Sequence, residues 1–350
     1  MKTPTARKLP SGSWHCRVRV NGEDVSITAE TEKAALAEAM AVKAGIRQAR
    51  KDSPLTVREC MDRYIEARAV RSPSTVRGYR SDQKNRFQSI MDRPVCRLTD
   101  ADFQRAVNAE YKIITRRGTA VSPKTVQNAW CTIASAIREA TGRTVPVNLE
   151  EVVPKEHPFL EPDQIHLFLD GMRGKPVEAG ALLALHGLRR SEILKLTWGD
   201  IDRKNRVIRV RGASVLNEEG KLVDKQTNKS AAGRRDVPVM IPRLLELAEA
   251  NAARSTGRVY THSKEYLYTV TNQVCGSLGL PLVGVHGLRH SFASLAYHLG
   301  LPEKYTAAVG GWDDYATMHK IYTHLANADS KKYAAQIGAF FKNGNENGNE

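Results

Sequence analysis

The sequence predicts a mainly α chain with small β elements, an α+β fold. Three observations predict it. Apolar residues recur at steps of three and four over long stretches, as in Val126, Trp130, Ile133 and Ile137. Strict period-two alternation is confined to short runs, at 14–20 and 206–211. The chain of 350 residues is 41% hydrophobic and 26% charged, with no apolar run near the ~20 residues of a membrane span. The expected organisation is a small sheet-plus-helix domain at 1–51, a four-helix domain at 54–142 and a linker at 143–155. A mixed helical domain with a three-stranded β insert follows at 156–341, then a disordered tail at 342–350.

The first element is a strand. In Trp14-His-Cys-Arg-Val-Arg-Val20 the even positions are apolar, so Trp14, Cys16, Val18 and Val20 share one face. His15, Arg17 and Arg19 share the other. Asn21-Gly22 is a hairpin turn, and a second strand follows at 25–28. Thr31 caps an Ala-rich helix at 32–47. Arg17 and Arg19 are either a charged face for a nucleic-acid groove or a solvated outer face.

The next hundred residues read as helices. Val57, Cys60, Met61, Tyr64 and Ile65 form one stripe. Ser72-Pro73 starts a long polar helix bearing Tyr79, Phe87 and Ile90, and Thr99 and Ser122-Pro123 start two more helices. Arg116, Arg117 and Lys124 lie at a basic loop and helix start. They suit either a DNA-clasping module or a wet basic surface. Pro146, Pro154 and Pro158 mark the linker.

Beyond it, strands are expected at 206–211, 221–227 and 234–239, with 221–227 pairing to 206–211. Helices are expected at about 241–253, 264–278, 288–299, 303–309, 314–323 and 329–341. The repeating Asn-Gly-Asn-Glu end is of low complexity.

The net charge is +15, divided as +5 over 1–51, +6 over 52–155 and +4 over 156–350. An excess in every region suits a body that surrounds a polyanion, although a merely basic soluble protein would look the same. Cys16, Cys60, Cys96, Cys131 and Cys275 form no C-x-x-C, which argues against a disulfide scaffold or zinc knuckle and for a reducing compartment. The N-terminus lacks the apolar segment of a signal peptide.

Four boxes carry the chemistry. They are Gly187-Leu-Arg189-Arg-Ser-Glu192-Ile; Lys229-Ser-Ala-Ala-Gly-Arg-Arg; His286-Gly-Leu-Arg289-His; and Gly311-Trp312 with Tyr322 ten residues after the tryptophan. In this order they resemble the catalytic domain of the tyrosine recombinase (phage integrase) family, in its integrase branch. More weakly, 54–142 resembles the family's core-binding domain and 8–50 its arm-binding domain. The lysine box reads Asn-Lys-Ser where Lys-Thr is commoner, and Trp312 stands where many members have His. His186-x-x-Arg189 imitates the second box, but Ser-Glu-Ile after Arg189 marks the first. Lys225 and Lys221 are alternatives to Lys229.

What the resemblance implies has a physical logic. Opening a phosphodiester without losing its energy requires a covalent intermediate. Tyr322 would be the nucleophile, with a cationic cluster lowering the cost of its phenolate. Arg189 and Arg289 offer guanidinium forks to the phosphate. Lys229 would protonate the leaving 5′ oxygen. His286 would bond the phosphate and manage the tyrosine proton, and Trp312 would offer its indole N–H. Glu192 would orient Arg189. No acidic cluster has metal-ligand spacing, so cleavage is expected to need no metal and no cofactor.

The implied activity is site-specific integration or excision of a mobile element or prophage through a 3′-phosphotyrosyl intermediate. The implied partners are double-stranded DNA at core and arm sites and a homotetramer on DNA, with a directionality factor and a DNA-bending protein as candidates. No membrane partner is expected, and the bacterial cytoplasm is the expected location. Tyr333, Ile337, Phe340 and Phe341 form an apolar stripe that either completes its own domain or docks on a neighbouring subunit. The alternatives are a housekeeping recombinase that resolves chromosome dimers and a non-catalytic DNA-binding regulator.

Overall fold

The computed structural model describes residues 4–10, 12–20, 23–43, 55–115, 118–153, 157–225, 233–312, 322, 325, 334 and 335. The chain divides into two compact units, Met1–Val153 and Pro154–Glu350.

In the first unit, β1 (Ala6–Lys8), β2 (Trp14–Val20) and β3 (Glu23–Ala29) form an antiparallel sheet in chain order. Cys16 pairs with Ile27 and Val18 with Val25. The alternation of β2 sends Cys16 and Val18 inward, where they join Ala35, Ala39 and Val42 of α1 (Glu32–Lys43). Arg17 and Arg19 are exposed on the opposite face. The Ala34 N–H donates to Thr31 Oγ1 at 3.2 Å, which caps α1. The expected helix continued to 47, but 44–47 lie outside the described residues, as do the hairpin tip, Arg116 and Arg117.

A separate apolar cluster is built by α2 (Val57–Glu66), α3 (Pro73–Asn85), α4 (Gln88–Met91), α5 (Asp100–Glu110) and α6 (Pro123–Thr141). Thr56 with Glu59 and Thr99 with Asp102 form capping boxes, and Ser122 Oγ accepts from the Thr125 N–H. Val57, Met61, Phe103, Ile133 and Ile137 are fully buried. The polar helix expected to carry Tyr79, Phe87 and Ile90 ends at Asn85, and Ile90 lies instead on the separate one-turn α4, because Phe87 breaks the helical backbone. Helix α4 starts at Phe87, which adopts a left-handed φ of 53°. The Phe87 ring lies 5.4 Å from that of Trp130, and its N–H donates to the buried Glu110 Oε1 at 2.5 Å.

The second unit opens with α7 (Pro162–Met172), α8 (Glu178–Leu185) and the single turn α9 (Arg190–Ile193). Strands β4 (Ile201–Asp202), β5 (Val207–Val210), β6 (Ala213–Leu216), β7 (Leu222–Lys225) and β8 (Arg235–Pro238) follow. Four helices come next: α10 (Pro242–Ala250), α11 (Lys264–Ser277), α12 (Gly284–His298) and α13 (Glu303–Gly310). Helix α8 is buried along nearly its whole length, and its Leu182 and Leu183 share a core with Leu160, Phe168, Met172 and Leu288.

The β insert departs from the expected pairing. The 222–225 strand does not pair with 207–210. It folds back on β6, with Leu216 opposite Leu222. The Asn217 side chain accepts from the Lys221 N–H at 2.8 Å and closes a tight turn, so the strand meets its nearest neighbour in sequence. The three-stranded sheet is instead β4-β5-β8. Helix α12 also begins earlier than the expected 288, which places His286 in its first turn. Of the two expected last helices, Tyr322, Leu325, Ala334 and Ala335 are helical, and the remainder and the tail lie outside the described residues.

Candidate active site

Side chains from four segments of the second unit meet at the C-terminal end of α13. A helix leaves its last carbonyls without intrahelical partners. Here the Val309 carbonyl accepts from Arg235 Nε at 2.6 Å, the Gly310 carbonyl from Arg289 Nη1 at 2.6 Å, and the Gly311 carbonyl from Arg189 Nη2. Three consecutive carbonyls thus receive three arginines from β8, α12 and the start of α9. Cations are favoured at this end of a helix by its dipole.

Arg189 is the N-cap residue of α9. Its backbone N–H donates to Glu192 Oε2 at 2.8 Å and its Nη1 to Glu192 Oε1 at 3.1 Å. Its side chain remains partly exposed. Glu192 is only 2% exposed and receives a second arginine, Arg235, through Nη1 at 3.1 Å and Nη2 at 3.0 Å. Burial pulls the Glu192 carboxyl upward, but hydrogen bonds and charge from Arg235, and then Arg189, outweigh it and hold it below the usual carboxylate value. The sequence reading missed Arg235. It was one more cation in a basic stretch, and its carboxylate partner lies far upstream.

Arg289, 2% exposed, reaches back to the Gly187 carbonyl as well as to Gly310. Its Cζ lies 3.9 Å from the centroid of the Trp312 ring. Trp312 is brought there by a tight helix end. Gly311 adopts φ 69°, and the Trp312 N–H returns to the Ala307 carbonyl at 3.0 Å. The ring then covers Gly310, whose Cα has no room for a methyl: a Cβ there would sit 1.9 Å from Trp312 Cζ3. The Trp312 ring thus supports Arg289.

His286 is exposed in the first turn of α12, three residues before Arg289. Desolvation first, then the charges of Arg289, His157, Arg190 and Arg189, hold its imidazole below the ordinary histidine value. The His290 ring lies 4.4 Å from it and stacks at 5° on His157. His186 is elsewhere and fully buried. Its Nδ1 donates to the Leu182 carbonyl at 2.7 Å and its Nε2 accepts from the Met240 N–H at 3.0 Å, so both ring nitrogens have structural tasks.

Tyr322 lies further back along α13. Its Oη donates to Thr306 Oγ1 at 3.0 Å, and its ring meets Tyr297 edge-on at 5.5 Å. The sequence predicts a phenol lowered by cations, and the opposite is found. Burial raises it, only partly offset by the Thr306 bond, and Glu303 raises it further. The hydroxyl faces Thr306, about one helical turn before the arginine-capped carbonyls. Lys229 lies outside the described residues. Lys225 ends β7, where its carbonyl accepts from Lys195 Nζ at 2.9 Å, and Lys221 pairs with Glu219 at 2.8 Å. In the first unit Lys124 is exposed and bonds Gln127 at 3.3 Å. Among the described residues, no group of three or more His, Cys, Asp or Glu is arranged to hold a metal, and no helix is long and apolar enough to cross a membrane.

Residues 158–329 match the profile of the phage integrase family. A curated relative described as "Tyrosine recombinase XerC-like", from Caldanaerobacter subterraneus subsp. tengcongensis, is 26% identical over 210 residues, covering 52% of this chain and 54% of the relative. The chain therefore spans about half the length of that relative. Among solved structures, the Tn1549 transposon integrase in complex with circular intermediate DNA superposes with a TM-score of 0.62 at 19% identity, over 81% of this chain and 100% of that one. A lambda integrase dimer bound to a COC′ core site gives 0.50 at 16% identity, over 91% of this chain and 94% of that one. At these identities the structural likeness establishes the fold.

Proposed function

The chain belongs to the phage integrase family of tyrosine recombinases through residues 158–329, and we propose that it is a site-specific DNA recombinase that integrates or excises a mobile element. The observation that carries this reading is the convergence of Arg189, Arg289 and Trp312 on the end of α13, from boxes far apart in sequence. Two guanidinium groups at one helix end make a phosphate seat that cannot be neutralised by deprotonation.

The step follows from the chemistry. The Tyr322 oxygen attacks phosphorus and the bond from phosphorus to the 5′ oxygen breaks. The phenol proton leaves towards a neutral base, and His286, held neutral by its surroundings, is suited to take it. The departing 5′ oxygen takes a proton, for which Lys229 is the candidate donor. Arg189 and Arg289 hold the non-bridging oxygens as charge builds on them. Attack by a 5′ hydroxyl of the partner strand reverses the step, so ATP is not needed. Because Tyr322 sits on Thr306 in the free chain, the phenol must leave that bond to reach the phosphate.

The DNA-bound relatives support DNA as the substrate here too. Contact from both units and action as a homotetramer on the DNA are part of the same proposal. Arg17, Arg19, Arg116, Arg117 and Lys124 are the candidate contacts in the first unit. A directionality factor, a DNA-bending protein and a bacterial cytoplasmic setting belong to the same proposal. The sheet and helix at 6–43 favour an element integrase over a housekeeping recombinase.

The test is a nicked, end-labelled duplex carrying the short direct repeat that flanks the element, resolved on a denaturing gel. A protein–DNA adduct made by the wild type and absent from Tyr322→Phe is expected. Equal activity of the two would favour a non-catalytic regulator.

A further inference from the structure

Glu192 is saturated. A carboxylate offers about four lone-pair positions, and here each oxygen accepts twice. Oε1 takes Arg189 Nη1 and Arg235 Nη1, both at 3.1 Å. Oε2 takes the Arg189 backbone N–H at 2.8 Å and Arg235 Nη2 at 3.0 Å. The two arginines are unequal. Arg235 is 8% exposed at the side chain, forked on both oxygens and pinned by Nε to the Val309 carbonyl at 2.6 Å. Arg189 is 36% exposed at the side chain, and its Nη1 donates to Glu192 Oε1 at 3.1 Å. Of the two, Arg189 has the more exposed side chain.

We propose that Arg235 is a positioning residue for Arg189. By occupying both oxygens of Glu192, it prevents Arg189 from closing its own fork on that carboxylate and keeps the Arg189 charge available for a DNA phosphate. The inference rests on the reading of Arg189 as a phosphate ligand.

Two guanidinium groups share this one carboxylate. Without Arg235 a single one remains on it, and two acceptor positions open on a buried anion. Arg189, already bonded to that carboxylate, is placed to fill them, and a bidentate pair is the preferred geometry between such groups. Arg189 would then turn inward and be neutralised. A buried carboxylate that has lost one partner holds the other more tightly. Arg235 also bridges β8 to α13, so the strand after the lysine box and the helix before Trp312 are tied to the same carboxylate.

The experiment is single-turnover cleavage of the nicked direct-repeat duplex by wild type, Arg235→Met, Arg235→Lys, Glu192→Gln and the double variant Glu192→Gln/Arg235→Met. Gel-shift affinity for the same duplex and the melting temperature are read alongside. Arg235→Met is expected to slow cleavage about 100-fold, the scale of losing one donor to the developing charge, while affinity changes little. Arg235→Lys is expected to recover most of the rate.

The discriminating result is the double variant. Once Glu192 is neutral it no longer captures Arg189, so cleavage should be at least about tenfold faster than in Arg235→Met alone, about 1.4 kcal/mol in the barrier. A merely structural role predicts the reverse, the double variant being slower than either single one. That result, or wild-type cleavage by Arg235→Met, overturns the proposal. If Arg235→Met does not fold, Arg235→Lys and the double variant decide in its place: both cleaving supports the proposal, and both folded but inactive overturns it. Absence of a Tyr322-dependent adduct from the wild type would instead remove the functional reading itself.

Discussion

Arg289 lies over Trp312, with its guanidinium carbon 3.9 Å from the ring centroid, and the Phe292 ring runs parallel to Trp312 at 6.4 Å. Trp312 is 9% exposed, so its removal opens a cavity as well as freeing the arginine. Trp312→Ala is expected to cost about 3–5 kcal/mol of stability, and Trp312→Phe clearly less, because a smaller face remains under the cation. Urea unfolding of the two variants checks the order. An alanine variant as stable as the phenylalanine one would contradict it.

Gly310→Ala tests the same packing from below. In a helix, alanine is favoured over glycine by about 1 kcal/mol, so propensity alone predicts stabilisation. Here the added methyl would meet the Trp312 ring at 1.9 Å and must displace it. The expected net result is a loss of about 1–3 kcal/mol, as for overpacked cores, together with slower DNA cleavage. A raised unfolding midpoint would show that the ring moves aside freely.

Phe87 holds a left-handed backbone conformation that costs a non-glycine residue roughly 1–2 kcal/mol. The Glu110 bond to its N–H at 2.5 Å and the aromatic packing against Trp130 hold it there. Glu110→Ala leaves that buried N–H without a partner and should destabilise the first unit by about 1–3 kcal/mol. Glu110→Gln keeps an acceptor and should lose less. Equal losses in the two variants would mean that the acceptor is not what matters.

His186 predicts a pH dependence. Burial pushes its imidazole down to about 4 from 6.5. Between those values the unfolded chain binds a proton that the folded chain refuses, so stability rises with pH through the window. The contribution is complete above about 6.5 and lost as pH falls towards 4, for a total of about 3 kcal/mol. The melting temperature should therefore fall steeply from pH 6.5 to pH 4. Replacing His186 with Gln should flatten part of that slope, and an unchanged slope would remove the assignment.

What could be read in the sequence was what depends on local periodicity and on residue types with few alternatives. The alternation at Trp14–Val20 set both faces of β2, because one-sided burial leaves no other register. Thr99 and Ser122 marked helix starts because short oxygens satisfy the first N–H groups. Arg189 and Arg289 were legible as members of one site through their boxes, and both reach the end of α13. Long-range partners were not. Nothing local ties Arg235 to Glu192, and the choice of β6 over β5 as the partner of β7 was decided by a turn at Asn217. The resting place of Tyr322 was illegible for the same reason, since it depends on Thr306, a buried threonine whose neighbours carry no signal.

The arginine-capped end of α13 has a consequence for how the protein responds to its substrate. A guanidinium that turns to grip a phosphate releases the peptide oxygen it held, and a bare oxygen at a helix end invites fraying. The residue freed by Arg189 would be Gly311, immediately before Trp312. On the proposed function, seating a DNA phosphate on Arg189 would therefore loosen the helix end that holds Trp312. By reciprocity, any change that stiffens that helix end would weaken the grip on the phosphate by an equal free energy.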